Sequence, residues 1–137
     1  MKYVLFGLGI ILASCVSPGH DQSFDQFLVS FGADDEFQRS RIVFPLDYTY
    51  YGRSEDMITL KPVQEKLTSM DWIHHEFAPD SIAGHLPENP YQWNVSKLTN
   101  DDAEVFKGGL DTGMSITFYF KKIDGKWFLV KVVNKST

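Results

Sequence analysis

The run Ser115 to Ile123, the dipeptide Asp124-Gly125 and the run Lys126 to Asn134 constrain the fold more than any other part of the chain. Asp-Gly between two β-rich segments specifies a two-residue type I′ turn, because both turn positions need positive φ and the turn's twist matches that of the strands. The turn sets a register in which Ile123 faces Lys126, Phe120 faces Leu129 and Ile116 faces Val133. With side chains alternating, one face carries Ile116, Phe118, Phe120, Trp127, Leu129 and Val133. The other carries Thr117, Tyr119, Ile123, Phe128, Val130 and Val132. Both faces are apolar at the centre. The hairpin is therefore expected either inside a sheet covered on both sides or as the wall of a pocket on one.

The opposite end of the chain reads as an address. Met1-Lys2 is a minimal positive start, Tyr3 to Leu12 is apolar, and Leu12-Ala13-Ser14-Cys15 follows. A charged start, a short apolar stretch and small residues before a cut are the parts of a secretory signal. The apolar stretch is shorter than the roughly 20 residues that a membrane span needs. The four-residue run resembles the lipobox of bacterial lipoproteins, in which the cysteine is lipidated and the peptide is cut before it. Cys15 is the sole cysteine of the 137 residues, so no disulfide can form within the chain. The expected organisation is a lipoprotein signal peptide over 1–14, a polar tether over 15–22 and a single domain over 23–137. Such a tether reaches only about 15 Å, which holds the domain close to the bilayer. No dense acidic run follows Cys15, which favours the periplasmic side of a Gram-negative envelope.

Charge narrows the choice of partner. The whole chain carries 13 basic and 18 acidic groups, and loss of the leader removes only Lys2. At pI 5.2 a nucleic-acid partner is not expected, since phosphate needs a basic face. Residues 107–137 hold six lysines against Asp111 and Asp124, while the acids crowd the earlier part of the chain. The lysines read as decoration of exposed strands or as a face for an anionic partner.

Between these ends the pattern is helices first and strands after. Phe24, Phe27, Leu28 and Phe31 form one helical stripe, with Ser23 as N-cap and Gly32 as the expected stop. Asp34 to Arg41 reads as a second short helix, acidic at its start and basic at its end. Ile42-Val43-Phe44 is a strand that Pro45 confines to an edge or a bend. Leu46 to Tyr51 continues extended, with Tyr48 and Tyr50 on one face. Met57 to Leu60 reads as another short strand, and Thr99 to Glu104 as a capped helical turn. Residues 78–92 should be a long loop, from which Tyr91, Trp93 and Val95 alternate into the sheet.

Recognisable chemistry is sparse. His74, His75 and Glu76, with His85, are the one cluster of metal-ligating types, but adjacent side chains diverge and fit no zinc spacing. No nucleophile elbow and no phosphate-cradling glycine loop occurs, so neither a cofactor nor a metal is expected.

Phe24-x-x-Phe27-Leu28, then Phe37-Gln38-x-Ser40-Arg41-Ile42-x-Phe44-Pro45-Leu46, then Trp72-x-His74-x-x-Phe77 and the Asp124-Gly125-Lys126-Trp127-Phe128-Leu129 hairpin form an ordered set. Together they resemble a family of small bacterial lipoproteins built on a domain of unknown function. The resemblance implies a nuclear transport factor 2-like (cystatin-like) fold, α+β, with N-terminal helices packed on a curved antiparallel sheet that ends in a long hairpin. It brings no catalytic residue. A curved sheet with helices across one opening makes a cone suited to a small apolar ligand, and Tyr48, Tyr50, Trp72, Tyr91, Trp93 and Tyr119 are its candidate lining. The expected role is a non-catalytic domain that binds such a ligand or another envelope protein. An enzyme with a pocket carboxylate or histidine as general acid or base is the alternative.

Overall fold

The computed structural model describes residues 23–77, 91–109 and 112–137. Residues 1–22, with the expected leader, Cys15 and the expected tether, lie outside the described residues, as do His85 and most of the 78–92 segment expected to be a loop. Eight elements follow in chain order: α1 (Phe24–Ala33), α2 (Asp35–Ser40), β1 (Ile42–Arg53), β2 (Leu60–Leu67), β3 (Tyr91–Leu98), β4 (Asp102–Gly109), β5 (Ser115–Ile123) and β6 (Lys126–Asn134). The strands form one sheet in the order β2-β1-β6-β5-β4-β3. All neighbours are antiparallel except β1 and β6, which run parallel.

Ser23 starts α1 as expected, its hydroxyl accepting the Gln26 N–H at 3.2 Å. The stripe Phe24, Phe27, Leu28 and Phe31 is buried on the sheet. The Phe120 ring receives Phe24, Phe27 and Phe31 edge-on, with centroids 5.4 to 5.7 Å apart. Gly32 does not end the helix, which runs on to Ala33. Its lack of a side chain serves packing: a Cβ there would lie 2.5 Å from the Phe77 backbone nitrogen. Asp34 then caps α2, accepting the Phe37 N–H at 2.6 Å.

Proline bends β1 without removing it from the sheet interior. The Phe44–Pro45 peptide is cis, and between Ile42 and Asp47 the β1–β6 register slips. Pairing with β2 begins only at Leu46, so the missing Pro45 N–H faces no β2 partner. Two short-range expectations fail. Residues 54–59 form the β1–β2 turn and β2 starts at Leu60, because Asp56 gathers the local donors into a turn. Residues 99–101 are the β3–β4 connection, closed by the Asp102 N–H donating to Thr99 Oγ1 at 3.0 Å. An isolated helical turn has little stability of its own, and strands pairing on both sides decide the conformation.

The β5–β6 turn has Asp124 at φ 50 and Gly125 at φ 76, the signature of type I′. Ile123 faces Lys126 and Phe120 faces Leu129, as the sequence requires. One register step is different. A bulge between Tyr119 and Phe120 places Ile116 opposite Asn134, not Val133, and Val132 opposite Phe118. The extra residue on β6 reverses the alternation, so that Val132 enters the core and Val133 leaves it. Helices cover one face of the hairpin only; Thr117, Tyr119, Phe128, Val130 and Val133 on the other face stay half-exposed.

Candidate functional site

The register of all six strands defines the concave face row by row. Nearest the helices, Leu129, Phe120 and Ala103 are fully covered. The next row runs Glu65, Tyr48, Val132, Phe118, Val105 and Val95. The row after it runs Val63, Tyr50, Asn134, Ile116, Lys107 and Trp93. This last row lies at the open end of the sheet and mixes rings, an amide and an ammonium. Its members are mostly half-buried, which distinguishes it from the sealed core beneath.

Segment 68–77 crosses that face between the helices and the open row, and Gln38 fastens it. The Gln38 side chain, 0 % exposed, donates from Nε2 to the carbonyls of Phe31 and His75, each at 2.7 Å. Its Oε1 accepts the Trp72 indole N–H at 2.9 Å and the His75 N–H at 3.0 Å. All four hydrogen-bonding positions of one amide are thus used. Arg39 adds bonds to the carbonyls of Ser69 and of Trp72, the latter at 2.9 Å. The His74 Nε2 lies 2.9 Å from the Gly32 carbonyl oxygen and therefore carries a proton.

Held this way, the His75 ring stacks edge-on against Phe118 at 5.2 Å. Burial, reinforced by the Lys107 ammonium and by His74, pushes its pKa down to about 4. Such an imidazole is neutral at pH 7 and a weak base. Lys107 lies with its Nζ 4.4 Å from the Trp93 ring centre. Burial lowers its pKa, and the Glu76 carboxylate works against that shift. On the far side of the face, Asn134 donates to the Tyr48 hydroxyl at 3.0 Å. The charge of Glu65 raises the Tyr50 pKa, with burial second.

The six aromatic candidates fall in three places. Tyr48 and Tyr50 adjoin on β1, ring centres 6.2 Å apart, at one side of the concave face. Trp93 stands at the other side against Phe77, at 4.5 Å. Four strand spacings separate β1 from β3, about 19 Å along the sheet. Trp72 is buried in the crossing segment and serves Gln38. Tyr119 lies on the opposite face, with Lys131 Nζ 5.3 Å from its ring centre. Tyr91 opens β3, and its side chain lies outside the described parts. The sequence reading missed Asn134, Lys107 and His75 as neighbours of these rings. Only the pairing of β6 with both β1 and β5 brings Asn134 beside Tyr48.

The convex face carries a cleft of about 440 Å³, lined by Asp47, Thr49, Gln64, Lys66 and Lys131 among others. Across it one row reads Lys66, Asp47, Lys131, Tyr119, Glu104 and Lys97. Lys66 pairs with Asp47, and Lys97 lies 3.9 Å from Glu104. These are exposed pairs of small energetic weight that keep this face wet. Among the described residues no group of three metal-ligating side chains converges, and no helix is long and apolar enough to cross a membrane.

No curated protein matches the chain. Solved structures do. An ntf2-like protein from Bacteroides fragilis aligns with 18% identity and a TM-score of 0.59 over 87% of this chain. The alignment covers 49% of that protein, so the chain spans about half its length. A cystatin-like protein from Bacteroides caccae aligns with 22% identity and a TM-score of 0.57, covering 84% of this chain and 79% of that one. A protein from Bacteroides uniformis aligns with 20% identity and a TM-score of 0.55, covering 83% and 77%. At such identities the likeness concerns the fold alone. A protein-family model, whose description gives a likeness and no activity, matches residues 22–136. The chain belongs to that family, and its fold is nuclear transport factor 2-like, or cystatin-like.

Proposed function

We propose that this chain is a lipid-anchored protein of a bacterial envelope, held through Cys15, whose domain is a non-catalytic binding module. The observation that carries the binding role is the open row Val63, Tyr50, Asn134, Ile116, Lys107 and Trp93. It presents apolar rings and a few polar groups on a concave, half-buried surface, the composition typical of ligand and partner sites. His75 argues against general-base chemistry there, because a base works best with a pKa near the working pH. The anchor rests on Leu12-Ala13-Ser14-Cys15 and on the position of the sole cysteine. Several acyl chains, at about 0.8 kcal/mol per buried CH₂, would make such anchoring effectively permanent.

Two measurements test this reading. The intact protein takes up labelled palmitate and fractionates with membranes, and Cys15→Ala does neither; an unlabelled wild type overturns the anchor. A photoreactive residue replacing Tyr50 crosslinks a discrete small molecule or envelope protein in cells, whereas the same residue at Tyr119 does not. Equal yields at both positions overturn the assignment of the concave face.

A further inference from the structure

The β1–β2 turn presents apolar side chains to solvent at the end of the sheet away from α1. Ile58 is 88 % exposed and Met57 66 %, with Leu60 beside them also exposed. Met57 has φ 60, a left-handed backbone in which methionine is uncommon and glycine or asparagine usual. The turn therefore keeps a large apolar residue where a small one would fit the backbone better.

The backbone of this turn is also provided for internally. The N–H groups of Ser54 and Met57 donate to the carbonyls of Thr59 and Ser54, at 2.8 and 2.9 Å. Those of Ile58 and Thr59 donate to Asp56 Oδ1 at 3.0 and 2.9 Å. The Ser54 and Thr59 hydroxyls donate to the same carboxylate. A segment leaving water must satisfy its polar groups itself, and an ionised carboxylate needs donors in place of its hydration. Behind the tip stand Arg53 and Lys61 on long flexible stems, then Tyr50 and Tyr51. Cations that can reach back to water, with tyrosines behind an apolar tip, are the residue types that settle at a membrane interface.

We infer that residues 54–60 form a membrane-seated tip, with Met57, Ile58 and Leu60 entering the boundary between headgroups and acyl chains of the bilayer. This rests on the lipid-anchor reading for bringing the domain to a membrane. Arg53 and Lys61 are offset by Glu55 and Asp56, so apolar contact drives the seating and anionic lipid adds little. The geometry fixes an orientation. Phe24 packs on Trp127 at the start of β6, and the tip lies past the end of the parallel strand β1. Phe24 and the tip are then separated by roughly 30 Å along the strands, beyond the reach of about 15 Å expected of residues 15–22, so anchor and tip meet one bilayer only if the sheet's long axis lies closer to the membrane plane than to its normal.

The test uses the full chain, expressed and processed in cells and reconstituted into phosphatidylethanolamine–phosphatidylglycerol vesicles. Ile58→Cys is labelled with an environment-sensitive fluorophore, and palmitate incorporation is measured on the same preparation. The inference expects blue-shifted emission and several-fold quenching when brominated lipids replace part of the bilayer, with nearly the same result in phosphatidylcholine vesicles. Water-like, unquenched emission from a palmitate-bearing protein overturns the tip and leaves the anchor standing. Absence of palmitate removes the anchor alone, and quenching at position 58 in vesicle-bound protein still decides for or against the tip.

Discussion

The Trp72 indole N–H points at Gln38 Oε1 from 2.9 Å, and this bond joins the crossing segment to α2 across a sequence distance of 34 residues. Neither group is at the surface. The bond sits in a closed set: Gln38 also serves the Phe31 carbonyl and both backbone groups of His75. Gln38 therefore substitutes for a strand pairing that the 68–77 segment does not have.

Removing that amide leaves buried donors and acceptors with no water to replace it. Gln38→Leu is expected to lower unfolding stability by about 3 kcal/mol, read from urea midpoints. Trp72→Phe keeps an aromatic side chain but loses the donor and part of the buried ring volume, so it should cost about 2 kcal/mol. The double variant should be less destabilised than the two singles added together, because both remove the same bond. Strict additivity would show that Gln38 and Trp72 act separately.

Gly32 offers a test of close approach against helix propensity. Alanine inside a helix gains about 1 kcal/mol over glycine. Here its Cβ would stand 2.5 Å from the Phe77 nitrogen and 2.8 Å from the Phe77 oxygen, both backbone atoms that cannot rotate away. Gly32→Ala is expected to be net destabilising, by about 2 kcal/mol after the helix gain. A neutral or stabilised variant would mean that segment 74–77 shifts at no cost.

These two residues show where sequence reading stops. The α1 stripe, its Ser23 cap and the Asp124-Gly125 turn are local, each decided by residues within a few positions, and all were legible. Gly32 looks like a helix stop because that is the commonest local reason for glycine there; its actual reason lies 45 residues away. Val132 and Val133 exchange faces through a bulge at which no glycine or proline marks the spot. The parallel pairing of β1 with β6 joins the two parts of the sheet, and no local pattern announces it. The candidate site suffered most, since its rings were legible as aromatic residues but Asn134, Lys107 and His75 join them only through long-range register.

Asp56 and Asp71 make the fold sensitive to acid at two exposed turns. Hydrogen bonds from Ser54, Thr59 and Ile58 hold the Asp56 carboxyl well below its ordinary pKa, and Thr68 does the same for Asp71. A depressed folded pKa contributes stability that is present above the unfolded value and lost as the pH falls beneath it. The thermal midpoint should therefore drop below about pH 3.8, the unperturbed carboxyl value. Asp56→Asn should lower the midpoint at neutral pH and shrink the acid drop. An undiminished drop in that variant would assign the effect to other carboxylates.

His75 acts in a higher pH window. Its pKa falls from 6.5 to about 4 on folding, chiefly through burial against Phe118 and Trp72, and then through Lys107 and His74. The unfolded chain binds the proton more tightly, so the stability is complete above pH 6.5 and declines as the pH falls towards about 4. The full span corresponds to a loss of the order of 3 kcal/mol at 1.36 kcal/mol per pKa unit. Urea midpoints taken between these limits should trace that slope, and the His75 ring resonances should titrate at its lower end. His75→Phe keeps an aromatic ring against Phe118 and removes the titration, so its stability should be flat across the same interval. A slope that persists in His75→Phe would transfer the effect to another histidine, and a ring titrating near 6.5 would place His75 in water, detached from the Gln38 fastening.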